Sequence, residues 1–341
     1  MQINLISDTV TKPSPEMLEF MFRAQVGDDV FKSDPSVNAL ENYAASMFGH
    51  DSALFCPSGT MTNQIAIKTH TQAMDEMICD RDSHVYQYEN GGYAYNSRIG
   101  INLIQGEYGK ITADQVDKAI KADYDWLPSS KLVVLENTTN KGGGSIYTLE
   151  ECLQIKNVCD KKNLKLHLDG ARLFNALVET KEKTIGVGAC FDSISICLSK
   201  GLGAPVGSLL LGDEAFIKRA RKFRKAMGGG MRQAGYIAAA GLFALKNNID
   251  RLKIDNERAK YLGKILSEQR YIQKVKPVHS NIIIFDLINQ VTTTAFLEKL
   301  SELGIHASAF GPQSIRFVLH LDVTEEMVEK VEDCLKKLSF V

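Results

Sequence analysis

No uninterrupted apolar run in this chain approaches the ~20 residues that a membrane-crossing helix needs. The opening segment, Met1-Gln2-Ile3-Asn4-Leu5-Ile6-Ser7-Asp8, also lacks a basic stretch followed by a long apolar one. We therefore expect a cytoplasmic protein with no membrane partner. An excess of either charge is missing too: 40 basic and 41 acidic side chains leave a formal net charge of −1. The longest like-charged cluster is Arg219 to Lys225, so nucleic acid is a poor candidate partner. Seven cysteines (Cys56, Cys79, Cys152, Cys159, Cys190, Cys197, Cys334) form an odd set without a Cys-x-x-Cys pair. Neither a disulfide framework nor a zinc cage is expected, and no compact ligand motif points to another metal. Internal repeats and low-complexity linkers are absent as well.

What remains is the composition of an ordinary enzyme: 341 residues, 44% hydrophobic and 24% charged, enough for one large core and a smaller satellite. Short apolar runs alternate with helical periodicity, which implies an α/β architecture with a mostly parallel sheet. Strands are expected at Ala53 to Phe55, Met77 to Cys79, Leu132 to Leu135, Leu164 to Leu168, Ser193 to Cys197 and Ser208 to Leu211. Asp34-Pro35 reads as an N-cap and first helical residue, followed by Val37, Leu40, Ala44 and Met47 at helical spacing until Gly49. An alanine-rich helix at Gln233 to Leu245 leads into the polar stretch Lys246 to Lys260, and two more strands are expected at Asn281 to Phe285 and Ser314 to Leu319. The division predicted is an amino-terminal segment and large unit over 1–250 and a small α/β unit over 251–341.

Lys200 stands in Ser199-Lys200-Gly201-Leu202-Gly203, directly after one apolar strand, and Asp169 ends another. Such a pair suits pyridoxal 5'-phosphate: the lysine forms a Schiff base, and the carboxylate pairs with the protonated pyridine nitrogen so that the ring accepts electrons. Gly201 to Gly207 imitates a dinucleotide fingerprint, but a strand pattern rather than a helix follows it. The better phosphate cradle is Ser58-Gly59-Thr60, between a strand and a helical run, where backbone N–H groups and two hydroxyls can meet an anion.

His84, at a strand exit, can stack on the pyridine ring and exchange protons near neutral pH. His167, two residues before Asp169, either orients that carboxylate or belongs to the core. Arg172 can reach the cofactor's phenolic oxygen or the substrate's carboxylate. Arg316, in an apolar strand, needs a partner: a substrate carboxylate, or an internal acid. Lys225 and Arg232 flank a glycine turn suited to phosphate or to a subunit contact.

The ordered stretches Ser7-Asp8-Thr9-Val10-Thr11, Pro57-Ser58-Gly59-Thr60-Met61, His167-Leu168-Asp169-Gly170-Ala171-Arg172, Leu198-Ser199-Lys200-Gly201-Leu202-Gly203, Gly228-Gly229-Gly230-Met231-Arg232-Gln233 and Arg316-Phe317-Val318-Leu319-His320 resemble those of a known family. This is the family of low-specificity L-threonine aldolases, in the β-eliminating lyase group of pyridoxal-phosphate enzymes with the aspartate aminotransferase fold. The resemblance implies Lys200 as the Schiff-base lysine, Asp169 at the pyridine nitrogen, His84 on the ring, and Ser7, Arg172 and Arg316 around the substrate carboxylate. It also implies a dimer-based homotetramer. The expected reaction is retro-aldol cleavage of threonine-like β-hydroxy-α-amino acids to glycine and an aldehyde. The alternatives are β-elimination or racemisation on the same apparatus, and a non-catalytic binding protein of the same fold. The chain departs from the family pattern near the substrate: Thr139 replaces a usual histidine after Glu136-Asn137-Thr138, and Phe31 replaces a tyrosine.

Overall fold

Apolar runs that are covered on both faces become strands. In the computed structural model of the protein, which describes residues 1–340, these are β1 (Ile3–Asn4), β2 (Ser52–Cys56), β3 (Asp75–Asp80), β4 (Gly100–Ile104), β5 (Ser129–Glu136), β6 (Lys165–Gly170), β7 (Ser193–Cys197), β8 (Ser208–Gly212), β9 (Ile272–Val275), β10 (Ile282–Leu287), β11 (Ile305–His306), β12 (Ser308–Ala309) and β13 (Ser314–Val318). The main sheet has the order β2-β8-β7-β6-β5-β3-β4. Strands β3 to β7 run parallel, and only β8 is reversed. Because β8 is antiparallel to both β2 and β7, β2 points the same way as β7. Every residue of β7 and β8 is buried.

The predicted strands of this sheet all form, as does the helix Pro35–Phe48 with Asp34 as N-cap and Gly49 as C-cap at φ 68°. Edge strand β4 and the helix Leu252–Ser267 were not legible. The first is half exposed, and in the second a charged face hides buried Leu252, Ala259, Leu262 and Leu266. Among the described residues no helix is long and apolar enough to cross a membrane.

A second, antiparallel sheet has the order β12-β13-β10-β9, while β1 pairs in parallel with β11. Its core gathers Leu262, Phe285, Phe296, Phe317 and Leu335, and also Ile3 and Leu5, both fully buried. The first residues of the chain are therefore packed with its last third, while the main core draws on residues from Met17 to Leu252.

Asp34 does more than cap its helix. Its buried carboxylate accepts N–H groups from Ser36 (3.0 Å), Val37 (3.0 Å), Gly27 (3.2 Å) and Gly235 (2.9 Å), joining two loops to the helix. We expect Asp34→Ala to lower unfolding stability by roughly 2–3 kcal/mol, a lost cap plus the orphaned donors of buried Gly235 and half-buried Gly27, as read from urea denaturation.

Candidate active site

Strands that run the same way deliver their following loops to one sheet edge, where open α/β sheets bind ligands. Ser58 follows β2, His84 follows β3, Asn140 follows β5, Arg172 follows β6 and Lys200 follows β7. A cavity of about 500 Å³ at this edge is lined by Ser7, His84, Tyr88, Arg172, Lys200 and Arg316, among others. Among the described residues Lys200 Nζ has no hydrogen-bond or ion-pair partner in the protein, so its amine is unclaimed.

One end of the site is acidic. Asp169, almost fully buried, accepts from Asn63 Nδ2 at 2.9 Å and from the Ala171 N–H at 3.2 Å. Glu136 lies opposite it in the β5–β6 register and accepts N–H groups from His84 (2.8 Å) and Asn140 (2.9 Å). Burial, and then the charge of Asp169, push the Glu136 carboxyl up to about 7. His84 donates from Nδ1 to Glu89 at 3.0 Å, which leaves Nε2 as its uncommitted nitrogen. Burial alone would depress the imidazole, but the bond to Glu89 and the charges of Asp169 and Glu136 outweigh it, and its pKa is raised. Glu89 is itself pinned by Asn63 (2.9 Å) and Gln64 (2.6 Å).

The other end is basic. Arg172 clamps Asp8 through Nε and Nη2, both at 2.7 Å. Burial opposes the Asp8 anion, yet the guanidinium, Lys200 and the Asn281 amide hold its carboxyl down at about 2. The sequence left Arg172 a free choice of anion; the fold commits two of its nitrogens to Asp8. Arg316 donates to Asn140 Oδ1 (2.8 Å) and the Ile6 carbonyl (2.9 Å), lies over the Phe310 ring at 4.7 Å, and has a buried Nε with no partner. Burial, and then the charge of Arg172, bring it down to about 10. The internal acid weighed as its partner does not exist among the described residues. An uncompensated guanidinium in a desolvated wall favours an anionic ligand.

The Ser58-Gly59-Thr60 turn opens a helix after β2, as its sequence predicts. Ser58 caps the helix Gly59–His70, accepting from the Met61 N–H at 3.2 Å, and the N–H groups of Gly59 and Thr60 are among the free donors of its first turn. Ser208 Oγ is buried without a partner and lies 3.5 Å from where a Cβ on Gly59 would stand. An orphaned hydroxyl beside a glycine at a helix start fits a phosphate, and the unclaimed Lys200 amine fits its aldehyde.

Of the predicted residues, Ser7, His84, Arg172, Lys200 and Arg316 line this cavity; Asp169 and the Ser58-Gly59-Thr60 turn lie outside its lining, as do Thr139, Phe31, Lys225 and Arg232. The Thr139 hydroxyl donates to the Tyr108 carbonyl at 2.9 Å. Phe31 is 76% exposed. Arg232 pairs with Asp28 at 2.8 Å, and the glycine turn between Lys225 and Arg232 packs behind the cradle, where a Cβ on Gly229 would strike Met61. Conversely, Asp8, Asn63, Tyr88, Glu89, Asn140 and Ser208 went unrecognised as site residues. Asp8 alone carried a signal, an acid in the otherwise neutral segment beside Ser7.

The beta-eliminating lyase family model matches residues 4–290. The chain is 41% identical over 332 residues to the low specificity L-threonine aldolase of Escherichia coli strain K12, covering 96% of this chain and 97% of that protein. It is 36% identical over 342 residues to low-specificity L-threonine aldolase 1 of Arabidopsis thaliana, with 98% and 96% covered. Among solved structures it is similar to a Leishmania major threonine aldolase (TM-score 0.84, 21% identity, 98% and 99% covered). It is also similar to the Sphingomonas wittichii serine palmitoyltransferase (TM-score 0.80, 19% identity, 98% and 86% covered). At these identities the structural likeness is one of fold.

The raised Glu136 carboxyl makes a signed prediction. A group that holds its proton more tightly when folded contributes stability that is full below its unfolded value of 4.5 and lost as pH rises through about 7. In thermal melts from pH 4 to 8 we expect Glu136→Gln to gain stability relative to the parent across that window, with a flat difference above it.

Proposed function

The chain belongs to the beta-eliminating lyase family, and on that premise we propose that it is a pyridoxal-phosphate-dependent carbon–carbon lyase cleaving L-threonine, L-allo-threonine and related β-hydroxy-α-amino acids to glycine and an aldehyde. The observation that carries this reading is the set of unclaimed donors at one sheet edge: Lys200 Nζ, Arg316 Nε and Ser208 Oγ. When bound, pyridoxal phosphate supplies a conjugated ring that accepts the electron pair released at the substrate's α-carbon. Lys200 would hold its aldehyde, Asp169 its pyridine nitrogen, and Ser58, Gly59, Thr60 and Ser208 its phosphate.

Arg316 binds the substrate's α-carboxylate, with the Ser7 hydroxyl and the remaining Arg172 nitrogen at the same end of the cavity. An α-amino acid held by its carboxylate there extends toward His84. The β-hydroxyl must lose a proton for the Cα–Cβ bond to break, and an imidazole of raised basicity with a free Nε2 is suited to take it. Thr139 is committed elsewhere, so His84 is the imidazole available. Which bond breaks depends on which stands perpendicular to the conjugated system, a matter of how Arg316 and His84 hold the two ends.

The reading includes a cytoplasmic location and a dimer-based homotetramer; Phe31 and Tyr95, 76% and 87% exposed, are apolar surface that a second copy would cover.

A product assay on L-threonine, L-allo-threonine and phenylserine tests the proposal. Glycine and the matching aldehyde are expected, with colour and turnover both lost in Lys200→Ala. Pyruvate and ammonia from serine without glycine would identify elimination instead, and cofactor uptake without turnover would identify a binder. For Arg316→Gln we expect KM for threonine to rise about 10- to 100-fold, the equivalent of one charged hydrogen bond, with kcat changed much less.

A further inference from the structure

A file of buried side chains runs beneath the site, from Asp169 at the carboxyl edge of the sheet to Ser193, the first residue of β7, at the opposite edge. Asn63 Nδ2 reaches both Asp169 Oδ2 and Glu89 Oε1 at 2.9 Å. Asn63 Oδ1 faces His167 Nε2 at 3.3 Å, His167 Nδ1 faces Ser193 Oγ at 2.8 Å, and Ser193 Oγ faces His70 Nε2 at 2.7 Å. Asn63, His167 and Ser193 are all at most 2% exposed. The His70 ring is stacked on Phe216, with centroids 4.4 Å apart. Burial, joined for His167 by the repulsion of His70, brings both imidazoles down to about 3, so both are neutral at working pH.

A neutral imidazole has one donor and one acceptor nitrogen, so the direction of every bond in the file can be deduced. Two carboxylates at one end of Asn63 require its NH₂ group there. Its oxygen is then the acceptor facing His167, which must carry its proton on Nε2. Nδ1 is left as an acceptor, the Ser193 O–H must donate to it, and His70 Nε2–H donates to Ser193. In the opposite tautomer, His167 would turn the Asn63 oxygen onto both carboxylates, acceptor against acceptor.

We infer that Ser193 is a positioning residue: by donating to His167 Nδ1 it fixes the Nε2–H tautomer, and so holds the Asn63 amide with its N–H groups on Asp169 and Glu89. Asn63 thereby ties the acid for the pyridine nitrogen to the acid that orients His84, and a hydroxyl at the opposite edge of the sheet governs both. The inference rests on the proposed role of Asp169.

Nitrogen-15 spectra of histidine-labelled protein, with and without pyridoxal phosphate, read the tautomer directly. In the parent protein His167 is expected as the neutral Nε2–H form; finding it as Nδ1–H or as a cation overturns the inference without need of a variant. In Ser193→Ala, which leaves His167 Nδ1 without its donor, the Nδ1–H form should gain population against the pull of the two carboxylates, and the dissociation constant for pyridoxal phosphate should rise roughly tenfold, about the worth of one hydrogen bond to a charged group. An unchanged tautomer or an unchanged dissociation constant in that variant overturns it equally. Failure of the parent to take up the cofactor at all would instead sink the proposed function, since the tautomer is read in its absence.

Discussion

The bidentate pair between Asp8 and Arg172 joins the two hydrophobic cores at the point where the cavity forms. Asp8 ends a segment seated on the second core: the Val318 N–H donates to the Leu5 carbonyl at 2.9 Å, and His320 Nε2 bonds the Asn4 carbonyl at 2.8 Å. Arg172 follows β6 of the main sheet. Asn281, just before β10, donates to the same carboxylate at 3.1 Å. Three distant stretches of chain thus converge on one desolvated charge. Removing either partner would leave an uncompensated ion in the interior, which is far more costly than the pair itself is stabilising. With Asp8 in place, Ser7 and the Ile6 carbonyl stand beside Arg316, and the basic end of the cavity is assembled as a by-product of joining the two cores.

The cavity is polarised along its length. Asp169, Glu136 and Glu89 crowd one end around His84, while Lys200 and the unpaired Arg316 stand at the other, the charge of Arg172 being met by Asp8. Two carboxylates as close as Asp169 and Glu136 cannot both ionise freely in a dry wall, and it is Glu136 whose carboxyl is displaced upward. The field that results favours a cationic ring at one end and a carboxylate at the other, the order of charges that an amino acid and a protonated pyridine would need. Such a field would orient a dipolar ligand before any contact specific to its side chain is made.

The parts legible in the sequence were those with a local cause. Continuous apolar runs announce buried strands, Asp34-Pro35 announces a helix start, and a Ser-Gly-Thr turn between strand and helix announces an anion cradle. Lys200 and Asp169 were conspicuous as polar residues at the ends of apolar runs. By contrast, Asn63 and Gln64 lie inside a helix with no feature to separate them from solvated amides, and Ser193 and Ser208 look like any strand serine. Their roles come from what faces them across the sheet. Thr139 and Phe31 were placed near the substrate by resemblance, and the fold turns the first toward the Tyr108 carbonyl and the second outward.

Composition and pattern by themselves determined the α/β class, the mostly parallel sheet and the Ser58-Gly59-Thr60 turn between strand and helix, because each follows from periodicity or from a residue's intrinsic chemistry within a few neighbours. Tertiary structure alone decided that Arg172 is taken by Asp8 while Arg316 meets no acid among the described residues, and that Asn63 rather than His167 touches Asp169. The reason is physical: a charge or a hydrogen-bonding group acquires its role from its partner and its degree of desolvation. Both are set by contacts between residues far apart in the chain, such as Arg316 and the Ile6 carbonyl at a separation of 310 positions, which no local window contains.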